Sequence, residues 1–131
     1  MEKRKSRIVI FESPKDHNWR EYSVNTMIYH RKGTRFLLPL NRKEKTYLEN
    51  LDNRTAKIIN GLLTIPGILA IVIQPYRVII GKSRAFDWEE IDDSILDALK
   101  SAFRNMTNGD NLEIVREQNP LFVSNSGNSS D

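Results

Sequence analysis

The chain has 131 residues, of which 39% are hydrophobic and 28% charged, with a formal net charge of +3. That length supports one hydrophobic core rather than two, and the composition argues against collagen-like, disordered and membrane classes. The absence of cysteine removes disulfides, thiolate ligands, cysteine nucleophiles and cysteine-held iron–sulfur clusters together.

Arg7 to Phe11 is a β-rich run closed by Pro14, which predicts a first strand over residues 7–12. The segment from Trp19 to Tyr29 carries Tyr22, Val24, Ile28 and Tyr29 among polar residues, a loose period of two that suits a half-buried second strand. Arg35 to Leu40, ending in Pro39 and followed by Asn41, reads as a short edge strand. Ile58, Ile59, Leu62 and Leu63 recur at helical spacing after a cap at Asp52 or Asn53, which predicts a helix over 53–64 stopped by Pro66-Gly67. Two β-branched runs, 68–73 and 76–82, flank Gln74-Pro75 and form the strongest hairpin signal, placed deep in the sheet. Asp87 and Glu90 form a capping-box-like pair ahead of a stripe of Trp88, Ile91, Ile95, Leu99, Ala102 and Phe103. This predicts a helix over 87–105 with Glu89, Asp92, Asp93, Asp97 and Lys100 facing water. Leu112 to Val115 suits one more strand, and the polar residues after it cannot bury anything, so 118–131 is expected to be a disordered tail.

These elements imply one α+β domain over residues 1–117, with a small, mostly antiparallel sheet and two helices packed on one face. The expected core is Val9, Val24, Ile58, Ile59, Leu62, Ile71, Ile73, Val78, Ile80, Trp88, Ile91, Ile95, Leu99 and Phe103. No apolar run approaches the roughly 18–20 residues of a membrane span. No signal-peptide core follows the basic start either, so a cytoplasmic protein with no membrane partner is expected.

The chemistry-bearing residues are sparse. His17 and His30 have no neighbouring ligand at metal spacing, no Gly-x-Ser-x-Gly elbow exists, and the scattered glycines make no phosphate loop. No cofactor, no metal and no catalytic residue is expected, and the carboxylates of the last helix read as a solvated face. Charge is uneven, however: residues 1–45 carry 12 Lys/Arg against 5 Asp/Glu, and the rest 8 against 12. The candidate partner-binding residues are therefore Lys3, Arg4, Lys5, Arg7, Arg31, Lys32, Arg35, Arg42, Lys43 and Lys45. Trp19, Tyr29 and Tyr47 lie among them in sequence, so a nucleic acid held by phosphate contacts and stacking is the alternative to a protein partner.

From Asn53 to Phe103 the order of features resembles the N-terminal domain of the NifU-like (Nfu) family of iron–sulfur scaffold proteins and its stand-alone relatives. Those features are the amphipathic helix, the Ile65-Pro66-Gly67-Ile68 link, the apolar hairpin and the Asp87-Trp88 helix start. Glu12-Ser13-Pro14 with Asn18 is similar to that family's early Thr-Pro-Asn segment but lacks its Asn-Pro-Asn core. In the full-length relatives a separate C-terminal domain carries the Cys-x-x-Cys that holds the cluster. The resemblance therefore implies a non-enzymatic interaction or regulatory module, at most an accessory to iron–sulfur assembly, and not the scaffold.

Overall fold

The structure, a computed structural model, describes residues 6–13, 16–100, 103 and 112–118. Six strands, β1 (Ser6–Glu12), β2 (Trp19–Val24), β3 (Thr34–Leu37), β4 (Ile68–Gln74), β5 (Arg77–Lys82) and β6 (Leu112–Gln118), form one sheet in the order β3-β4-β5-β2-β1-β6. All described pairings are antiparallel except β1 with β6, which run parallel. Three helices, α1 (Arg42–Glu49), α2 (Asn53–Leu63) and α3 (Trp88–Lys100), contribute to the same core. This is the expected α+β architecture with one helix more, because Asn50 to Asp52 divides the apolar stretch from Tyr47 to Leu63 into two helices.

Strand register explains which face is buried. Ile8 lies opposite Val24, Ile10 opposite Tyr22, Tyr22 opposite Val78, Ile71 opposite Ile80, and Phe36 opposite Ile71. A period of two therefore gathers these side chains on the helix-covered face. Leu48, Ile58, Ile59, Leu62, Ile91, Ile95 and Leu99 close over them. Each such side chain contributes on the order of 1.5–3 kcal/mol by leaving water. Val9, expected in the core, is half-buried on the other face, since the alternation that puts Ile8 and Ile10 inside must put Val9 outside. Trp88 is likewise half-buried, packing against the margin of the core rather than within it. The remaining expected core residues are buried.

Local chemistry sets the helix ends. Asn41 accepts from the Glu44 N–H at 2.8 Å while the Glu44 carboxylate accepts from the Asn41 N–H at 2.9 Å, a reciprocal cap. Asp52 caps α2 through the Thr55 N–H. Before α3, the Glu90 carboxylate accepts from the Asp87 N–H at 2.7 Å. The second predicted strand is shorter than its pattern suggested: β2 ends at Val24, and Ile28 and Tyr29 are buried from a loop, with the Ile28 N–H donating to Pro75 O at 2.8 Å. β6 continues to Gln118, one residue into the segment assigned to the tail, and the rest of that tail lies outside the described residues, as do residues 104–105 of the predicted last helix. Among the described residues no helix is long and apolar enough to cross a membrane.

Candidate functional site

Six of the ten predicted partner-binding residues lie on β3, the loop before it and α1, at one edge of the sheet. Arg31 and Lys32 lie in the loop entering β3, Arg35 lies on β3, and Arg42, Lys43 and Lys45 lie on α1; all six are exposed. Five contacts knit the loop, strand and helix together. The Tyr29 hydroxyl bonds both the Thr34 and Tyr47 hydroxyls, the Phe36 and Tyr47 rings stand 6.1 Å apart, and the Arg31 guanidinium lies 5.4 Å from the centre of the Tyr47 ring. Finally, the Glu44 carboxylate accepts from the Leu37 N–H at 3.3 Å while it caps α1, which fixes the first turn of the helix at the end of β3. Among the described residues none of the six cations is in an ion pair. Glu44 sets one carboxylate against them, and the segment keeps a net positive charge.

Two exposed apolar side chains adjoin this corner. Leu37 is 54% and Leu69 51% exposed; Leu37 lies opposite Ala70, while the Leu38 N–H donates to Leu69 O at 2.9 Å, so the two side chains are offset by one strand position.

The other predicted residues are not part of it. Arg7 sits on β1, four strand positions from β3 and hence about 19 Å away across the sheet, where it pairs with Glu113 at 3.1 Å. Lys3, Arg4 and Lys5 lie outside the described residues. The expected stacking platform is also not assembled. Tyr29 is fully buried, Tyr47 is half-buried beneath Arg31, and Trp19 lies on β2 with its indole against Gly81, where an added Cβ would come within 2.9 Å of the ring.

The tyrosine pair gives the corner a titration signature. Burial pushes the Tyr29 hydroxyl above its ordinary value. For Tyr47 burial acts in the same sense, but bonds from Tyr29 and Thr34 and the adjacent Arg31 outweigh it and lower the value, since a nearby cation and donors favour the phenolate. Absorbance titration at alkaline pH is therefore expected to show Tyr47 ionising before Tyr29, and Tyr47→Phe is expected to delete that earlier step.

A second polar cluster, missed in the sequence, lies on the β6 side. Asp92, expected to face water, is only 5% exposed. Its Oδ1 accepts from the Tyr22 hydroxyl at 2.6 Å and from Arg20 at 3.2 Å, and its Oδ2 accepts from Arg116 at 2.5 Å. Arg20 also reaches Glu12 at 2.9 Å and lies 4.6 Å from the centre of the Trp88 ring, while its Nε is buried without a partner. Burial raises the Asp92 carboxyl, but Tyr22, Arg116 and Arg20 together hold it below the ordinary carboxylate value, and Asp92 in turn raises Arg116. Glu12, Arg20, Asp92 and Arg116 line a cleft of about 410 Å³ with Trp88, Glu89 and Asp93. An ionised carboxylate with both oxygens engaged has no proton to give and little lone-pair capacity left, so the cluster reads as a tie between β2, α3 and β6. Among the described residues no group of three His, Asp or Glu side chains could hold a metal.

No protein-family model and no curated protein matches the chain. Among solved structures, it is similar to the crystal structure of protein SAV1430 from Staphylococcus aureus, at 16% identity and a TM-score of 0.52, over 71% of this chain and 98% of that one. It is similar also to the solution structure of a NifU-like protein from Saccharomyces cerevisiae, at 20% identity and a TM-score of 0.53, over 74% of this chain and 77% of that one. The fold is shared with a NifU-like protein. At these identities the likeness concerns the path of the backbone, which agrees with the resemblance read from the Ile65–Ile68 link and the Asp87-Trp88 start.

Proposed function

We propose that the chain is a non-enzymatic interaction or regulatory module that docks a protein partner through its basic corner at β3 and α1. The observation that supports this reading is the grouping of six exposed cations, in no ion pair among the described residues, on β3, its entering loop and α1, with Leu37 exposed on the same strand. Charge steers an acidic partner, and Leu37 gives it something to bury. The fold shared with a NifU-like protein, with the sequence resemblance, supports a partner from iron–sulfur assembly. Without a single cysteine the chain would act there as an accessory. A nucleic-acid partner is the weaker reading, because of the three aromatic side chains expected to stack Tyr29 is buried, Tyr47 is covered by Arg31 and Trp19 lies on β2.

The test is capture of partners from the native cell extract, with and without nuclease, using wild type and the triple variant Arg35→Glu, Lys43→Glu, Lys45→Glu. Exposed substitutions of this kind change stability by about 0.5 kcal/mol or less each, so lost capture reports docking and not unfolding. A nuclease-resistant protein that the triple variant no longer retains is expected. Retention of nucleic acid alone, at low salt and not at high, would replace this reading with the alternative.

A further inference from the structure

Within the docking role proposed above, the backbone of β3 narrows the chemistry of the partner. In an antiparallel ladder, successive residues direct their N–H and C=O groups to opposite sides. The Leu38 N–H donates to Leu69 O on β4, so Phe36 and Thr34 also face β4, while Arg35 and Leu37 direct theirs to the outer edge. The Leu37 N–H, bonded to the Glu44 carboxylate across that edge, bears out this alternation. β3 is an edge strand of the sheet, and Glu44 blocks its C-terminal half. Arg35 is left as the residue of β3 whose outward N–H and C=O both lack a partner among the described residues. Its side chain and that of Leu37 lie on the sheet face away from the helices, because Phe36 between them is buried in the core.

We infer that the partner presents an extended, acidic segment which adds to the free edge of β3, pairing its backbone with Arg35. Strand side chains alternate with a period of two, so a segment in this position sets one row of side chains beside Arg35 and Leu37, on the open face. An acidic residue there meets Arg35, and an apolar one meets Leu37. The cations of α1 supply attraction along the flank. Only one residue of β3 offers free pairing groups, so the contact is short, weak and salt-sensitive, and charge carries a large share of it. A longer uncapped edge would instead template pairing without regard to charge, the hazard that Glu44 and the brevity of β3 limit.

A short synthetic peptide of alternating Glu and Val is the probe, with its Lys/Val counterpart and a single-stranded thymidine oligomer for comparison. Binding to the full chain is followed by fluorescence anisotropy and by amide exchange. Arg35→Gln removes the charge and keeps the N–H, and it is expected to weaken binding less than about fivefold, the worth of an exposed ion pair. Arg35→Pro also removes the outward N–H, a change an edge strand tolerates, and it is expected to weaken binding about fivefold or more beyond Arg35→Gln. In wild type, the Arg35 N–H is expected to exchange freely alone and slowly with peptide, while the Phe36 N–H stays protected in both states. The exchange result decides if the proline variant does not fold. Equal losses for the two variants, with no protection at Arg35, would overturn the strand-addition inference while leaving the docking role standing, provided the triple reversal still abolishes binding. Unchanged peptide affinity in the triple reversal would overturn both. Tighter binding of the thymidine oligomer than of the Glu/Val peptide would overturn the inference in favour of a nucleic-acid partner.

Discussion

Replacing Asp92 with alanine is expected to lower the free energy of unfolding by about 3–5 kcal/mol, because it leaves a buried guanidinium uncompensated. Arg20 is 9% exposed, and without Asp92 it keeps only the bond to the exposed Glu12. The Tyr22 hydroxyl, fully buried, loses its acceptor at the same time. Urea denaturation of Asp92→Ala, Arg20→Met and the double variant measures this directly. The double variant is expected to be more stable than the sum of the two losses implies, since removing both partners of a buried pair costs less than removing one. The same cluster sets an acid limit. The folded carboxyl of Asp92 is held below its unfolded value, so its contribution is fully present above the ordinary carboxylate pKa of about 3.9 and is lost as pH falls through the lower folded value. Wild type is therefore expected to lose stability below about pH 4 more steeply than Asp92→Asn, whose side chain does not titrate.

Gly67→Ala is expected to cost about 2–5 kcal/mol, the sum of a backbone penalty and a steric one. Gly67 has φ of 95°, a conformation that L side chains rarely adopt, and a Cβ there would stand 2.6 Å from Cγ of Phe86. The ring lies over this glycine because the Ser83 N–H donates to Gly67 O at 2.7 Å, holding the link before β4 against the turn after β5. The two penalties separate in the double variant Gly67→Ala, Phe86→Leu, followed by thermal melting beside each single change. Relief of the clash is expected to restore about half the loss, and the remainder reports the left-handed backbone. Full restoration would show that the backbone at residue 67 carries no strain.

The fold was largely legible in the sequence because strong apolar periodicity survives in its central elements. The hairpin around Gln74-Pro75 and the Asp87 helix start needed only local signals, and both stand within a residue or two of where those signals put them. β1 shows the limit of pattern reading: Ile8, Val9 and Ile10 are all apolar, so composition cannot say which alternation faces inward, and only the pairing with Val24 and Tyr22 decides it. The site was half legible. Residues 31–45 lie close in sequence, so the loop, strand and helix that carry them are neighbours, whereas Arg7 depended on a strand order in which β1 and β3 are separated by three strands. The Asp92 cluster was missed for a reason that could have been caught. Arg20 alternates with Tyr22 and Val24 on one face of β2, and Asp92 shares a helix face with Ile95, Leu96 and Leu99. A cation in a buried row implies an anion in another, but nothing in the sequence says which rows touch.

Placing the basic corner at the centre of the function leaves the Asp92 cleft as a structural tie, and the two sites lie toward opposite edges of the sheet. Mapping amide chemical-shift changes in the full chain on addition of the captured partner separates these assignments most directly. Changes concentrated in residues 31–45 are expected, with the cleft residues Arg20, Trp88 and Asp92 unmoved. Changes centred on the cleft, with β3 and α1 silent, would contradict that expectation.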